Sequence, residues 1–333
     1  MRHLLLALTL VACTEEPRVA PARPAPTESS SRPAPTAPPA SAAPSVTATA
    51  VPSAEGSPEP EGPWPAVEKT WRFDDTPAGR IDVVVTVPST RVRLPVLIAL
   101  HGQTEAFKPP DRGARGWLDD YALTQALERV QAPPLTRADL LRIAPQERIA
   151  ELNAALKKQP YEGLIVVTPF TPDILQGKKE MSAAIPFGRF VVETLIPRIY
   201  AETPALGTPE STGIDGVSLG GRVSLLVGLA HPERFGVVAA LQPAIYPHEL
   251  DELTRRIREA RQTQPSLRLR LLTSDGDFYR GTVGALSTKL DRASIAHRHD
   301  VVSGPHSYAF NRGPGAYEML LFHDRALRGK TGP

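Results

Sequence analysis

Short apolar runs alternate with amphipathic stretches along most of this chain, and the alternation predicts strands and helices in turn. Val67 to Phe73 and Arg80 to Val87 read as two strands joined by Asp-Asp-Thr-Pro-Ala-Gly, an opening hairpin. Leu94 to Leu100 and Gly163 to Thr168 are continuous apolar runs of strand length, the pattern of strands buried on both faces. Ser211 to Val217, Val237 to Leu241, Leu267 to Thr273 and Ile295 to Val302 complete the strand candidates. Phe187, Phe190, Val191, Thr194 and Leu195 share one face of a helix over 187–200. Val223, Leu226, Val227 and Ala230 recur at helical spacing until Pro232 stops them. Further helices are predicted from His248 to Gln262 and from Gly281 to Leu290, and Ala316, Met319, Leu320, His323 and Leu327 form the stripe of a closing one. This order implies an α/β domain over 64–333, its mostly parallel central sheet covered by helices on both faces. One segment breaks the alternation. Residues 103–160, directly after His101-Gly102, carry helical pieces near Leu118 to Val130 and Pro145 to Leu156, an insertion that serves either as a lid or as surface elaboration.

The first sixty-odd positions follow other rules. From Cys13 to Pro63 there is no aromatic residue, and 13 of the chain's 36 prolines fall there, so this stretch lacks the apolar surface that would offset its ordering entropy. It reads as a tether over 13–63. Ahead of it, Met1-Arg2-His3 is basic and Leu4 to Ala12 is apolar. Nine helical residues rise only about 14 Å, half of a bilayer core, which excludes a transmembrane span and fits a secretory signal over 1–12. Leu10-Val11-Ala12-Cys13 resembles the lipobox of bacterial lipoproteins. That resemblance implies lipidation of Cys13 and a place in the bacterial cell envelope, anchored to a membrane surface on the periplasmic or outer side. An ordinary secretory signal with an incidental cysteine is the alternative.

Cys13 is the only cysteine, so the globular part has no disulfide, no thiol nucleophile and no thiolate metal site. The formal net charge of +2, with acids and bases interspersed, gives no basic footprint for a nucleic acid.

The chemistry concentrates at Gly216-Val217-Ser218-Leu219-Gly220, a G-x-S-x-G string between a predicted strand and a predicted helix. A strand that turns abruptly into a helix strains the central serine, and glycines two positions to either side remove the collisions such a turn creates. Ser218 is then an exposed nucleophile, and the backbone N–H of Leu219 faces a developing oxyanion. In this motif order an acid and a histidine follow, each after a later strand. Asp275 and Asp277 follow the strand ending at Thr273, and His306 follows the last strand. His306 would take and return the serine proton while the aspartate orients its ring. A second oxyanion donor is expected after Leu100, from the backbone N–H of Gln103. His101 is expected beneath that loop as a hydrogen-bonder. Asp275-Gly276-Asp277 lacks the other ligands of a calcium loop, and His297 and His299 are two apart on a strand, so no metal site is assigned and no cofactor is required. Trp117, Tyr121, Phe107, Tyr246, Tyr279 and Tyr308 are candidates for a pocket wall or for ordinary core.

Several strings together resemble the esterase branch of the α/β-hydrolases, the group containing esterase D and enterochelin-esterase-like proteins. They are Leu97-Ile98-Ala99-Leu100-His101-Gly102, Glu193-Thr194-Leu195-Ile196-Pro197, Gly216 to Gly221, His231-Pro232-Glu233-Arg234-Phe235-Gly236, Asp277-Phe278 and Gly304-Pro305-His306. The resemblance spans Ile81 to Leu327. It implies Ser218, Asp277 and His306 as a triad, with Asp277 preferred because a bulky residue follows it. It further implies cleavage of a small-molecule carboxylic ester through an acyl-enzyme. Two other functions remain in view: acyl transfer on the same scaffold, and a non-catalytic surface-tethered binding module. Two departures from the pattern follow: the long insertion leaves the substrate site open, and Gln242-Pro243, where relatives often carry small residues, is expected to reshape the pocket wall without touching the triad.

Overall fold

The computed structural model describes residues 64–90, 92–176 and 180–330. The signal segment 1–12, Cys13 and the tether 13–63 lie outside the described residues. Among the described residues, no helix is long and apolar enough to cross a membrane.

Eight strands form one sheet in the order β1-β2-β4-β3-β5-β6-β7-β8. They are β1 (Ala66–Phe73), β2 (Ile81–Pro88), β3 (Val96–Leu100), β4 (Ile165–Pro169), β5 (Thr212–Gly216), β6 (Val237–Leu241), β7 (Arg268–Gly276) and β8 (Arg298–Pro305). The opening hairpin β1–β2 is antiparallel, and β2 pairs antiparallel with β4. From β4 onward every neighbour is parallel. The carboxyl ends of β3, β5, β6, β7 and β8 therefore meet along one edge, where loops from a parallel sheet converge.

The apolar runs resolve into two faces with period two. Val96, Ile98 and Leu100 of β3 and Val238 and Ala240 of β6 belong to one core, packed with helical residues such as Phe187, Leu226, Ile257 and Leu286. Leu97 and Ala99 of β3 and Val237, Ala239 and Leu241 of β6 belong to the other, packed with Leu123, Leu152 and Leu320. β3 and β6 are hydrophobic at every position because each face of the sheet has its own helical cover.

The insertion supplies much of the second cover. Its helices Leu123–Gln131 and Gln146–Lys158 lay buried leucines on the same core as the closing helix Ala316–Ala326. The helix expected over 187–200 runs over 185–202 with a π-helical turn at Val191–Leu195. The last strand lies three residues later than the apolar pattern suggested. Ile295 is buried, but it sits in the turn after helix Arg280–Arg292, where its N–H bonds the Leu290 carbonyl and Ser294 has φ 54°. The strand itself opens on Arg298-His299-Asp300, charges that suit an unpaired sheet edge. Asp300 pairs at 2.7 Å with Arg270, a guanidinium only 1 % exposed that also binds Glu318 at 2.8 Å.

If the insertion is integral to the core, truncating one of its buried leucines will destabilise the whole domain. Leu152→Ala is expected to cost about 2–5 kcal/mol in urea unfolding followed by far-ultraviolet circular dichroism. An unchanged midpoint would mean that the segment rides on the sheet without supporting it.

Candidate active site

Ser218 stands where β5 breaks into helix Leu219–Ala230, with φ 57° and ψ −112°. L-residues occupy that region only under constraint, at a cost of order 1–3 kcal/mol. The constraint is close backbone packing. A Cβ on Gly216 would lie 2.6 Å from the Gly220 carbonyl carbon, and one on Gly220 would lie 2.6 Å from the His101 carbonyl oxygen. With both positions bare, the turn closes against the end of β3. Ser218 N–H donates to the Leu241 carbonyl at 2.9 Å, and the Ser218 carbonyl accepts from Ala244 N–H at 3.0 Å. Behind the turn, Asp215 accepts from Gly216 N–H at 2.7 Å and from His323 Nε2 at 3.0 Å, the Asp215 and His323 side chains being fully buried.

A continuous hydrogen-bonded relay meets the serine. His306 Nε2 is 2.9 Å from Ser218 Oγ, and His306 Nδ1 is 2.8 Å from Asp277 Oδ1. The Asp277 carboxylate also accepts from Thr273 Oγ1 at 2.6 Å and from Tyr279 N–H at 2.9 Å. With the acid held on three sides, Nδ1 carries a proton and Nε2 is left as the acceptor for the serine hydroxyl. Asp275 goes elsewhere: its Oδ1 accepts from Gly304 N–H at 2.9 Å, fixing the turn that delivers His306. Gln242, at φ 44° and fully buried, donates from Nε2 to Ser274 Oγ at 2.6 Å and to the Pro305 carbonyl at 3.2 Å. It is absent from the residues lining the cleft around Ser218, so its effect falls on the histidine loop behind the site and not on the pocket wall.

The opposite wall comes from the loop after β3. Gln103 opens the short helix Gln103–Ala106, and Leu219 opens the helix after Ser218. The first N–H groups of a helix have no carbonyl partner within it, so both residues offer donors at helix N-termini. His101 Nε2 accepts from Thr171 N–H at 2.8 Å, so Nδ1 must be the protonated nitrogen that donates to the Gly102 carbonyl at 2.8 Å. Burial lowers its pKa from 6.5 to about 4, so the ring is neutral at neutral pH. Glu105, also fully buried, accepts from Tyr308 Oη at 2.5 Å and from the Tyr121 hydroxyl, which in turn accepts from Gly102 N–H at 3.1 Å. Desolvation and the Glu105 charge raise both phenols, Tyr308 to about 12, so both remain donors. One carboxylate thereby ties the loop after β3, the insertion and the segment after His306 together.

Between the walls lies a cleft of about 350 Å³ lined by Gln103, Thr104, Tyr121, Ser218, His306 and Tyr308 among others. Of the aromatic candidates, Tyr121 and Tyr308 line it. Trp117 is core, while Phe107 is exposed. Tyr246 and Tyr279 pack edge-to-face beside the relay. Phe278 was visible in the sequence only as the bulky neighbour of Asp277. It is 71 % exposed, and its ring lies 4.2 Å from that of His306. His297 is engaged by Ser287 Oγ at 2.8 Å and lies just ahead of β8. Among the described residues, no three His, Cys, Asp or Glu side chains cluster as metal ligands. Glu105 and Thr273 carry no motif, and their roles follow from three-dimensional placement alone.

The sequence profile of the family described as "Putative esterase" matches residues 175–307, which include Ser218, Asp277 and His306. No curated protein matches the chain in sequence. Solved structures share its fold. S-formylglutathione hydrolase from Staphylococcus aureus superposes with TM-score 0.55 at 11 % identity, covering 78 % of this chain and 99 % of its own. A ferulic acid esterase gives 0.57 at 15 % identity, over 79 % and 99 %. A ferulic acid esterase from the anaerobic fungus Anaeromyces mucronatus gives 0.52 at 18 % identity, over 80 % and 94 %. Together with the strand order, these matches show an α/β-hydrolase fold.

His101 makes stability depend on pH. The unfolded chain takes up the imidazole proton near pH 6.5 and the folded one only near 4, so stability is full above 6.5 and falls as pH drops towards 4. His101→Gln, which cannot titrate, should flatten that fall in urea melts compared between pH 7 and pH 4.5. An equal slope in both proteins would remove His101 as its source.

Proposed function

We propose that this protein is a serine hydrolase that cleaves a carboxylic ester through an acyl-enzyme. The observation that carries the proposal is the relay from Asp277 through His306 to a serine on a strained turn. The profile match to an esterase family over the same residues supports it, as does the fold shared with proteins named as esterases and a hydrolase.

In this mechanism Ser218 Oγ attacks the ester carbonyl while its proton passes to His306 Nε2. Asp277 stabilises the imidazolium. The carbonyl oxygen becomes an oxyanion facing the N–H groups of Leu219 and Gln103, donors already fixed by their helices. Collapse of the tetrahedral intermediate breaks the bond to the alcohol, which leaves with the proton from Nε2. A water then repeats the sequence, giving its proton to His306 and its oxygen to the acyl carbon, and frees Ser218.

We also infer that Cys13 carries a lipid that anchors the protein to an envelope membrane; the supporting feature is the sequence around the cysteine.

Ser218→Ala should lower kcat/KM on p-nitrophenyl butyrate by roughly four orders of magnitude or more, and wild type should release a burst of p-nitrophenol equal to the enzyme present. Substantial turnover by the alanine variant would overturn the mechanism. For the anchor, Cys13→Ser should move the protein from the membrane to the soluble fraction and abolish incorporation of labelled palmitate. Retention of the label would exclude Cys13 as the attachment site.

A further inference from the structure

Phe278 is the exposed apolar wall of the cleft. Among the described residues, large hydrophobic side chains left in water include Phe107, Ile185 and Phe278, and of the exposed set only Phe278 lines the cleft with Ser218 and His306. Val217 and Tyr121, which also line it, are buried. The Phe278 ring is 71 % exposed, yet its position is fixed. Asp277 N–H donates to the Ser274 carbonyl at 3.1 Å, Tyr279 N–H to Asp277 Oδ1 at 2.9 Å, and Arg280 N–H to the Asp277 carbonyl at 3.1 Å, so the residues on both sides of it are tied down. The ring itself lies 4.6 Å from that of Tyr279 and 4.2 Å from that of His306, tilted 35° to the imidazole.

Single exposed apolar residues are ordinary on an outer surface. This one is held inside the cleft, against the group that must return a proton to the leaving alcohol. For that transfer the alcohol oxygen has to come within about 3 Å of His306 Nε2. The carbonyl oxygen is turned the other way, towards the N–H groups of Leu219 and Gln103. Of the two halves of an ester, the alcohol is therefore the one carried past His306 and onto the ring beside it. We propose that Phe278 is a specificity-determining residue for the alcohol half of the ester, and that its ring receives an aromatic alcohol group of the benzyl class. This deepens the ester-hydrolysis reading and rests on it. A flat ring laid on Phe278 takes apolar surface of both partners out of water and adds an aromatic pair, whereas an ethyl group leaves Phe278 wet. Because the wall is fixed beforehand, little ordering is needed to form the contact.

Two pairs of esters test which half meets the ring. Benzyl butyrate and ethyl butyrate share an acyl group and release alcohols of similar acidity, so their difference isolates a ring on the alcohol. Ethyl 4-phenylbutyrate against ethyl butyrate puts the same ring on the acyl half. In the full-length protein the benzyl ester should be preferred to the ethyl ester by on the order of 10-fold in kcat/KM, and that ratio should fall by about 5-fold or more in Phe278→Ala. The acyl ratio should be the same in both proteins. Each comparison is a ratio within one protein, so a general disturbance of His306 by the substitution cancels. A benzyl preference missing from wild type, or unchanged in Phe278→Ala, would overturn the assignment. So would an acyl ratio that falls as far as the benzyl one. Binding is read separately by saturation-transfer NMR on Ser218→Ala with benzyl butyrate. The benzyl ring protons should receive more saturation than the butyryl methyl, and the excess should vanish in the Ser218→Ala, Phe278→Ala double variant; an excess that persists there also overturns the assignment. Wild type inert toward all of these esters, or continued hydrolysis by Ser218→Ala, would instead sink the serine-esterase reading, while the saturation transfer would still report on Phe278.

Discussion

The site depends on backbone atoms packed closer than side chains permit. Ser218 is held at an unfavourable φ and ψ because β3, the turn after β5 and the first turn of the following helix interlock where Gly216 and Gly220 carry no Cβ. The strain is sustained by the buried strands on either side, whose two-faced cores leave the turn nowhere to relax. Parallel pairing does the rest. Because β5, β7 and β8 run in one direction, the loops bearing Ser218, Asp277 and His306 leave the sheet along a single edge.

Around that turn, polar groups are organised by function. The relay is fastened from below by Thr273 and Tyr279 N–H, while Asp275 shapes the loop that presents His306. The opposite wall is fastened by neutral His101, which spans the ends of β3 and β4, and by Glu105 with its two tyrosines. These groups touch no reacting atom. In the proposed reaction they would hold the donors and the proton acceptor in one geometry before substrate arrives, which is where electrostatic catalysis gains most.

Much of this was legible from residue order. Continuous apolar runs located β3 and β4, and β6 falls over Val237–Leu241 as its pattern suggested. G-x-S-x-G between strand and helix pointed to Ser218, motif order to His306 and to Asp275 or Asp277, and the family resemblance to Asp277 of the two. What escaped has a physical reason. The strand β8 lies at an edge and opens on charges, so the apolar signal drew attention to Ile295, a buried turn residue. The bond from Gly304 N–H to Asp275 was not legible, because it depends on the path of the chain between β7 and β8. Glu105 acts through Tyr121 and Tyr308, 16 or more positions away, a pairing that leaves no local pattern, and no motif marks the bond from Thr273 to Asp277. Gln242 was noticed as a departure, but its role behind the histidine loop needed coordinates.

The segment from Leu241 to Ala244 contains none of the reacting groups, yet it is where they are joined. Its carbonyl and amide groups hold Ser218, Gln242 N–H bonds Leu272 on the acid-bearing strand at 2.7 Å, and the Gln242 side chain reaches Ser274 and Pro305. Ser218, Asp277 and His306 are thus three branches of one small chassis. Under the proposed mechanism, remodelling for new esters belongs at the exposed Phe278 ring and on the far wall, at Thr104, Tyr121 and their neighbours, where the chassis is out of reach, and alterations at Gln242 would detune every substrate alike.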